Sequence, residues 1–426
     1  MATKLIKYSR LAAFGLLATY YIFLIGVDLD TKRFCNSTGI DFCAYWSSGK
    51  IANEAGIAQV YDIDSLKEFQ EPIYPKPFPN NDFFLVIPFP YLPIFVIPFQ
   101  AFALLPIKVG YFIWNFLNFI LLFWYLHFFT LQVSGEKIKL ETLFIVFFSM
   151  PFFLNIQFGQ LNILLGIAAG EFFRNSQKGR PFLAGSWLAG LLLKPQTLVL
   201  ILPYLVWKKD WRSLFGFSSI GLLLVGISAI LAGPVGIDGF INILTGSSTG
   251  RSASNPLLMM NWRMFSLHFD NFLGTSIHYW ISIIGALGTL WLVHKILAKL
   301  HRPNPNTDLL SIFSIFIATM LVTWHAHFSQ ILTAIPFLAI LINNGLMPNK
   351  LKWSWFSVPI LVAIFSLFTV VTLNLIDAQP VQVNVLKFFG GFRGFIFNLV
   401  FLFWAYNTAS KQPNPATLRP NLTEHA

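Results

Sequence analysis

The chain has 426 residues, 55% of them hydrophobic and only 11% charged. A soluble chain carries about 25% charged residues, so there is too little polar surface here to clothe water-soluble domains, and soluble folds are excluded. The net charge of +11 does not point to nucleic acid: the basic residues sit in short clusters between apolar runs, as positive-inside topology requires, without basic–aromatic interleaving.

In chain order, the N-terminus reads MATKLIKYSR and passes into an apolar run from Leu11 to Val27 with no small-residue cleavage site. That pattern predicts an uncleaved signal-anchor helix. Lys4, Lys7 and Arg10 hold its start in the cytoplasm, so residues 28–82 emerge as a first outer loop. Nine of the 18 acidic residues crowd into this loop, among them Asp28, Asp30 and Asp41, together with Cys35 and Cys43. The two cysteines pair if the loop faces an oxidising compartment and remain thiols if it does not. The stretch DFCAYWSSGKIANEAGIAQVYD has helical spacing, with Tyr45, Trp46, Ile51 and Ala52 able to share a face. It is expected to lie along the membrane surface. DIDSLKEFQE predicts a second short helix capped by Asp62 or Asp64.

Residues 83–106 are apolar but contain Pro88, Pro90, Pro93, Pro98 and Pro106, which speaks against an ordinary straight span. If this segment stays on the outer side, the later basic clusters at 174–180, 208–212, 295–302 and 350–352 all fall inside. The non-crossing reading is therefore preferred. The following apolar runs lie at about 108–131, 142–157, 161–173, 181–193, 195–207, 213–233, 275–298, 309–324, 329–343, 355–376 and 388–407. The expected fold is an all-α polytopic membrane protein with about 11–13 transmembrane helices in a single domain over residues 1–409. A second outer loop is expected at 234–274 and a disordered cytoplasmic tail at 410–426. Several runs are shorter than the roughly 20 residues that cross a bilayer. Short broken helices are tolerated where they line a protein-enclosed or watery cavity. That cavity should open outward, where Gln160, Asn162 and Lys194 fall.

Four groups of residues could carry chemistry. Asp41, followed by Tyr45 and Trp46, could act as a base beside aromatic faces suited to a sugar, or it could simply cap its helix. Gln160 and Asn162 interrupt an apolar region in the turn FGQLN, where buried polar groups are costly unless bonded; the alternative is again capping. Lys194, at a proline break, needs an anion or a watery cavity, and a lipid phosphate is the obvious anion; otherwise it snorkels to the interface. His325 and His327, in TWHAHFSQ, could hold a phosphate or a sugar hydroxyl. A zinc site lacks a third ligand at helical spacing. Arg251 and Arg263, in the second outer loop, are further phosphate candidates. No phosphate loop, dinucleotide fingerprint, H-E-x-x-H or G-x-S-x-G motif is present. No cofactor or metal is expected, and the energy must arrive in the substrate.

Taken in order, Asp41-Phe42, Tyr45-Trp46, Ala52, Gly56 and Tyr61-Asp62, then Tyr91-Leu92-Pro93, Gly159-Gln160-Leu161-Asn162, Lys194-Pro195 with Trp207–Arg212, and finally His325–His327 resemble the motif series of glycosyltransferase family 87. These are membrane enzymes of the C-type fold that use polyprenyl-phosphate sugars, mannosyltransferases among them. Tyr91-Leu92-Pro93 departs from the family's double proline, and Trp324-His325-Ala326-His327 spaces its histidines differently. The resemblance implies an inverting transfer at the outer face of a prokaryotic cell membrane. The donor would be a polyprenyl-phosphate sugar, mannose or a related hexose or pentose, and the acceptor a glycolipid or glycan. In that scheme Asp41 is the base, and Lys194, Arg263, His325 and His327 hold the donor phosphate. Tyr45, Trp46, Tyr91, Gln160 and Asn162 contact sugar or acceptor. Two other classes remain open: a lipid or solute transporter, which also uses broken helices, and a lipid-linked glycan ligase or polymerase relying on late outer-loop arginines.

Overall fold

The computed structural model describes residues 12, 15–23, 25–26, 29, 34–35, 38–73, 86–248, 259–300, 305–357 and 380–411. Among these residues the regular structure is helical throughout, with a single isolated bridge between Phe34 and Thr38. The all-α expectation holds. Asp28, Asp30, Arg251, most of the 355–376 run and the tail beyond residue 411 lie outside the described residues.

Three helices are long and apolar enough to cross a membrane: Ile107–Ser134, Trp211–Gly246 and His278–Lys299. A fourth candidate is the pair Leu140–Phe147 and Met150–Phe158, bent by 52°. The Ile107–Ser134 helix illustrates the local logic. Pro106 precedes it and Gly135, in the left-handed region at φ 71°, ends it. Phe112, Phe116, Phe119 and Phe123 project outward, while Trp114, Asn118, Leu122, Tyr125 and Phe129 are buried. Five shorter apolar helical pieces, Pro93–Phe102, Pro181–Leu193, Pro195–Trp207, Asp308–Val322 and Phe328–Asn343, accompany these spans. The last two are buried almost throughout and form the centre of the bundle. An expectation of eleven to thirteen spans counts such short pieces as well as the long ones.

The described part of 83–106 holds one ten-residue helical unit, Pro93–Phe102, about 15 Å long and too short for a hydrocarbon core of about 30 Å. It packs against the Ile40–Glu54 helix. A Cβ at Gly49 would come within 2.1 Å of the Phe99 carbonyl oxygen, so only glycine permits this approach. Both helices expected in the first loop are present, at Ile40–Glu54 and Ile63–Gln70, and Asp62 caps the second by accepting from Ser65 N at 2.9 Å. Gln70 then clamps the extended segment at Ile87 with two hydrogen bonds, one donated and one accepted.

The described part of 234–274 is largely helical. The Trp211–Ser248 helix breaks at Gly233 (φ 62°, ψ −178°) ahead of Pro234 and then resumes. Its far portion folds onto the first loop, where Gly236 meets Ala58, Gly239 meets Tyr61, and the Phe240 ring packs edge-on against Tyr61. Residues 236–240 and 58–61 thus pack directly on each other.

Candidate functional site

Cys35 and Cys43 form a disulfide, which closes the turn leading into the Ile40–Glu54 helix. Gly39 occupies the cap position in the left-handed region, and its N–H is bonded to the Gln157 carbonyl at 2.6 Å. Asp41 sits in the first turn and is not the capping residue, so the capping alternative is excluded. Its carboxylate accepts instead from Gln160 Nε2 at 2.7 Å.

Gln160 is delivered by a turn that requires glycine. Gly159 ends the Met150–Phe158 helix at φ 72°, and a Cβ there would lie 2.5 Å from the Phe42 Cβ. Trp114 fixes the same turn by donating its indole N–H to the Gly159 carbonyl at 3.0 Å. Asn162 opens the next helix, Asn162–Gln177, but Leu161 is its cap, so Asn162 is also free of capping duty. Its backbone N–H is satisfied by Asn155 Oδ1.

The side chains then form a continuous path. Lys194 Nζ donates to Asn162 Oδ1 at 2.9 Å, Asn162 Nδ2 donates to Gln160 Oε1, and Gln160 Nε2 donates to Asp41. Ser329 Oγ adds a second donor to Gln160 Oε1. Lys194 is 7% exposed, so it does not snorkel to an interface, and Gln160 and Asn162 are equally buried. Asp41 is half-buried. Burial nevertheless raises its pKa above the ordinary aspartate value, an effect partly offset by the Lys194 charge and by the Gln160 hydrogen bond.

Tyr91 borders this path closely enough to interact electrostatically with Asp41, and its hydroxyl is 2.9 Å from that of Tyr45. Tyr61 donates to the Tyr91 carbonyl at 2.6 Å and locks the extended segment in place. Trp46 is not brought to the site. Its indole N–H donates to the Leu105 carbonyl at 3.0 Å, and Lys50 lies over its ring. Consecutive on the helix, the two rings meet different neighbours: Tyr45 packs with Phe89, Tyr91 and Phe99, and Trp46 faces the Leu105 turn.

On the other side of Lys194 lies the turn after the Pro305–Val322 helix. His325 and His327 stand edge to face with ring centroids 4.7 Å apart. His327 also caps the Phe328–Ala334 turn of helix: its side chain accepts from the Gln330 backbone, and Gln330 Oε1 returns a bond to the His327 N–H. Met260 N bonds the Ala326 carbonyl and Asn261 Nδ2 the Thr323 carbonyl, which tethers the Trp262–Leu273 helix, and with it Arg263, to this turn. The Arg263 guanidinium makes no hydrogen bond or ion pair with another described residue. Burial, His327, Lys194 and Arg263 together hold His325 well below the ordinary imidazole pKa, so it is neutral at neutral pH. Among the described residues no group of three or more His, Cys, Asp or Glu side chains is arranged to hold a metal ion.

Nine of the ten expected site residues therefore gather around one locus, and Trp46 does not. Ser329 and Asn155 were not anticipated. Asn155 carries a visible signal, a polar residue inside the apolar run MPFFLNIQF, whereas a serine in a turn carries none. Chemically, the site offers a half-exposed carboxylate on one side and an ammonium, a guanidinium and a neutral imidazole on the other.

The family model for glycosyltransferase family 87 matches residues 89–323. No curated protein and no solved structure matches the chain. The matched region carries Tyr91, Gln160, Asn162, Lys194 and Arg263. Asp41 lies upstream of it and His325 just beyond, and the hydrogen bond from Gln160 joins Asp41 to it.

Proposed function

The chain belongs to glycosyltransferase family 87, and from that membership, which makes it a membrane glycosyltransferase, we propose that it moves a sugar from a polyprenyl-phosphate donor to a lipid-linked or glycan acceptor at the outer face of a prokaryotic cell membrane. The sugar is mannose or a related hexose or pentose. The observation that carries this reading is the continuous bonded path joining Asp41 to Lys194, because it sets a base and a phosphate-holding cation on two sides of one locus.

In this mechanism Asp41 takes the proton from an acceptor hydroxyl as the hydroxyl oxygen attacks the anomeric carbon. The bond from that carbon to the phosphate oxygen breaks, and the configuration inverts. General-base assistance of this kind contributes about 10²–10⁴-fold. The departing phosphate is already a stable anion and needs no strong acid. Lys194, Arg263 and the N–H of neutral His325 hold its charge, which is electrostatic stabilisation where charge develops. Tyr91 lines the acceptor side. The disulfide supports an outer-face loop, since disulfides persist in oxidising compartments.

The test is to incubate purified protein with a panel of polyprenyl-phosphate sugars and follow release of polyprenyl phosphate. Release from one donor, lost in a folded Asp41→Asn variant, is expected. No release from any donor, with uptake into vesicles instead, would replace this reading with a transporter.

A further inference from the structure

Two neutral amides separate the Asp41 carboxylate from the Lys194 ammonium. Both are oriented alike, with oxygen toward the cation and nitrogen toward the anion. In this arrangement each amide dipole stabilises both charges, and hydrogen bonds in such a chain polarise one another. Turning either amide around would set N–H against ammonium or carbonyl against carboxylate. Ser329 Oγ reinforces the choice at Gln160, whose oxygen accepts from both Ser329 and Asn162. Asn162 is fully buried and Gln160 is 6% exposed, so water does not screen the path.

Resting on the donor reading above, we propose that Gln160 and Asn162 are positioning residues through which an anionic phosphodiester bound at Lys194 strengthens Asp41 as a base. In the empty site the ammonium leans on Asn162 and, through the two amides, supports the ionised carboxylate. A phosphodiester arriving at Lys194 takes over that ammonium, relaxes the chain and adds negative charge nearby. Both effects increase the proton affinity of Asp41. The donor thereby arms the base, and an acceptor hydroxyl meets a weaker base while the donor is absent.

Among the described residues, the charged or titratable groups acting on Asp41 are Lys194 and Tyr91. The other tyrosines on elements packed around its helix are turned elsewhere: Tyr45 to Tyr91, Tyr61 to the Tyr91 carbonyl, and Tyr111 to the carbonyls of Ile156 and Gln157. Lys108 bonds the Leu29 carbonyl, and Asp62 is engaged by Ser65. Arg263 and His327 act on the Lys194 side, through His325.

The experiment measures kcat/KM against pH in two ways on the full chain. Polyprenyl-phosphate mannose serves as donor and an alkyl mannoside as acceptor, or the pair that the panel above identifies. Varying the donor reports the donor-free enzyme, and varying the acceptor at saturating donor reports the donor-bound enzyme. The donor phosphodiester does not itself titrate in the range. The acid limb of the acceptor profile is expected to lie about one pH unit above that of the donor profile, a tenfold change in proton affinity. In Asn162→Leu that gap narrows, because only the through-space charge of the donor is left. It narrows also in Asn162→Asp, which keeps the shape but, when ionised, cannot donate to Gln160. Coincident limbs in the wild type, or an undiminished gap in both variants, overturn the relay while leaving the transferase reading intact. Lower rates at every pH with unshifted limbs identify a merely structural role and overturn it too. Absence of transfer from every donor sinks the transferase reading itself.

Discussion

Gln160 hydrogen-bonds Asp41 across 119 residues of sequence, with Nε2 and Oδ2 2.7 Å apart. One partner stands on the Ile40–Glu54 helix and the other on a turn between two apolar helices, so this contact joins the N-terminal segment to the bundle where the chemistry is proposed.

The environment of Asp41 makes a stability prediction. Burial raises its carboxyl pKa in the folded chain, so the fold binds this proton more tightly than the unfolded chain does. The associated stability is complete below the ordinary aspartate value of about 3.9 and is lost as pH rises through the folded value. Asp41→Asn, inactive as a transferase, should therefore melt higher than the wild type at neutral pH, with the difference shrinking as the pH approaches the ordinary aspartate value. Thermal melts in detergent across that range test this; a variant less stable at neutral pH contradicts it.

Gly159→Ala combines two costs. The left-handed backbone at φ 72° is unfavourable for an L side chain by about 1–2 kcal/mol, and the added methyl meets Phe42 at 2.5 Å, with overpacking of this kind costing about 1–3 kcal/mol. A clear fall in melting temperature is expected, accompanied by loss of transfer because Gln160 shifts with the turn. An unchanged melt and rate would show that this approach is not tight.

Replacing both Cys35 and Cys43 by serine opens a short loop and should cost about 2–3 kcal/mol by the chain-entropy argument. Both cysteines are buried, so the pairing is checked by mass mapping of the denatured, unreduced chain. A peptide linked through Cys35 and Cys43 is expected, and free thiols at both positions contradict it.

Trp46→Phe separates packing from recognition. Its indole N–H serves the Leu105 carbonyl, and losing one such bond costs about 1 kcal/mol. The variant should melt slightly lower and keep its acceptor KM. A raised KM with unchanged stability would return Trp46 to the site.

Gln160, Asn162 and Lys194 were each legible in the sequence for one physical reason: a polar group among apolar neighbours is expensive unless something satisfies it; Asp41 was legible instead as a carboxylate ahead of Tyr45 and Trp46 in an acid-rich loop. What satisfies it was not legible, because the answer is another residue far along the chain. Capping was a fair alternative for Asp41 and Asn162 until Gly39 and Leu161 proved to hold the cap positions. Trp46 was grouped with Tyr45 because helical spacing suggests which residues can share a face but not what packs on it, and its indole turns to Leu105. Residues 234–248 read as loop because Gly233-Pro234 resembles a terminus; proline is equally at home in the first turn of a new helix, and the chain resumes one.

That break gives the Trp211–Ser248 helix a compliant joint. With Pro234 lacking an N–H and Gly233 out of helical conformation, the ladder of backbone bonds is interrupted at one level. Below it the helix is rooted among lipid-facing residues such as Leu222 and Ile230; above it Gly236 and Gly239 grip the first loop. The segment beyond the break therefore takes its heading from the loop it grips rather than from the helix beneath it.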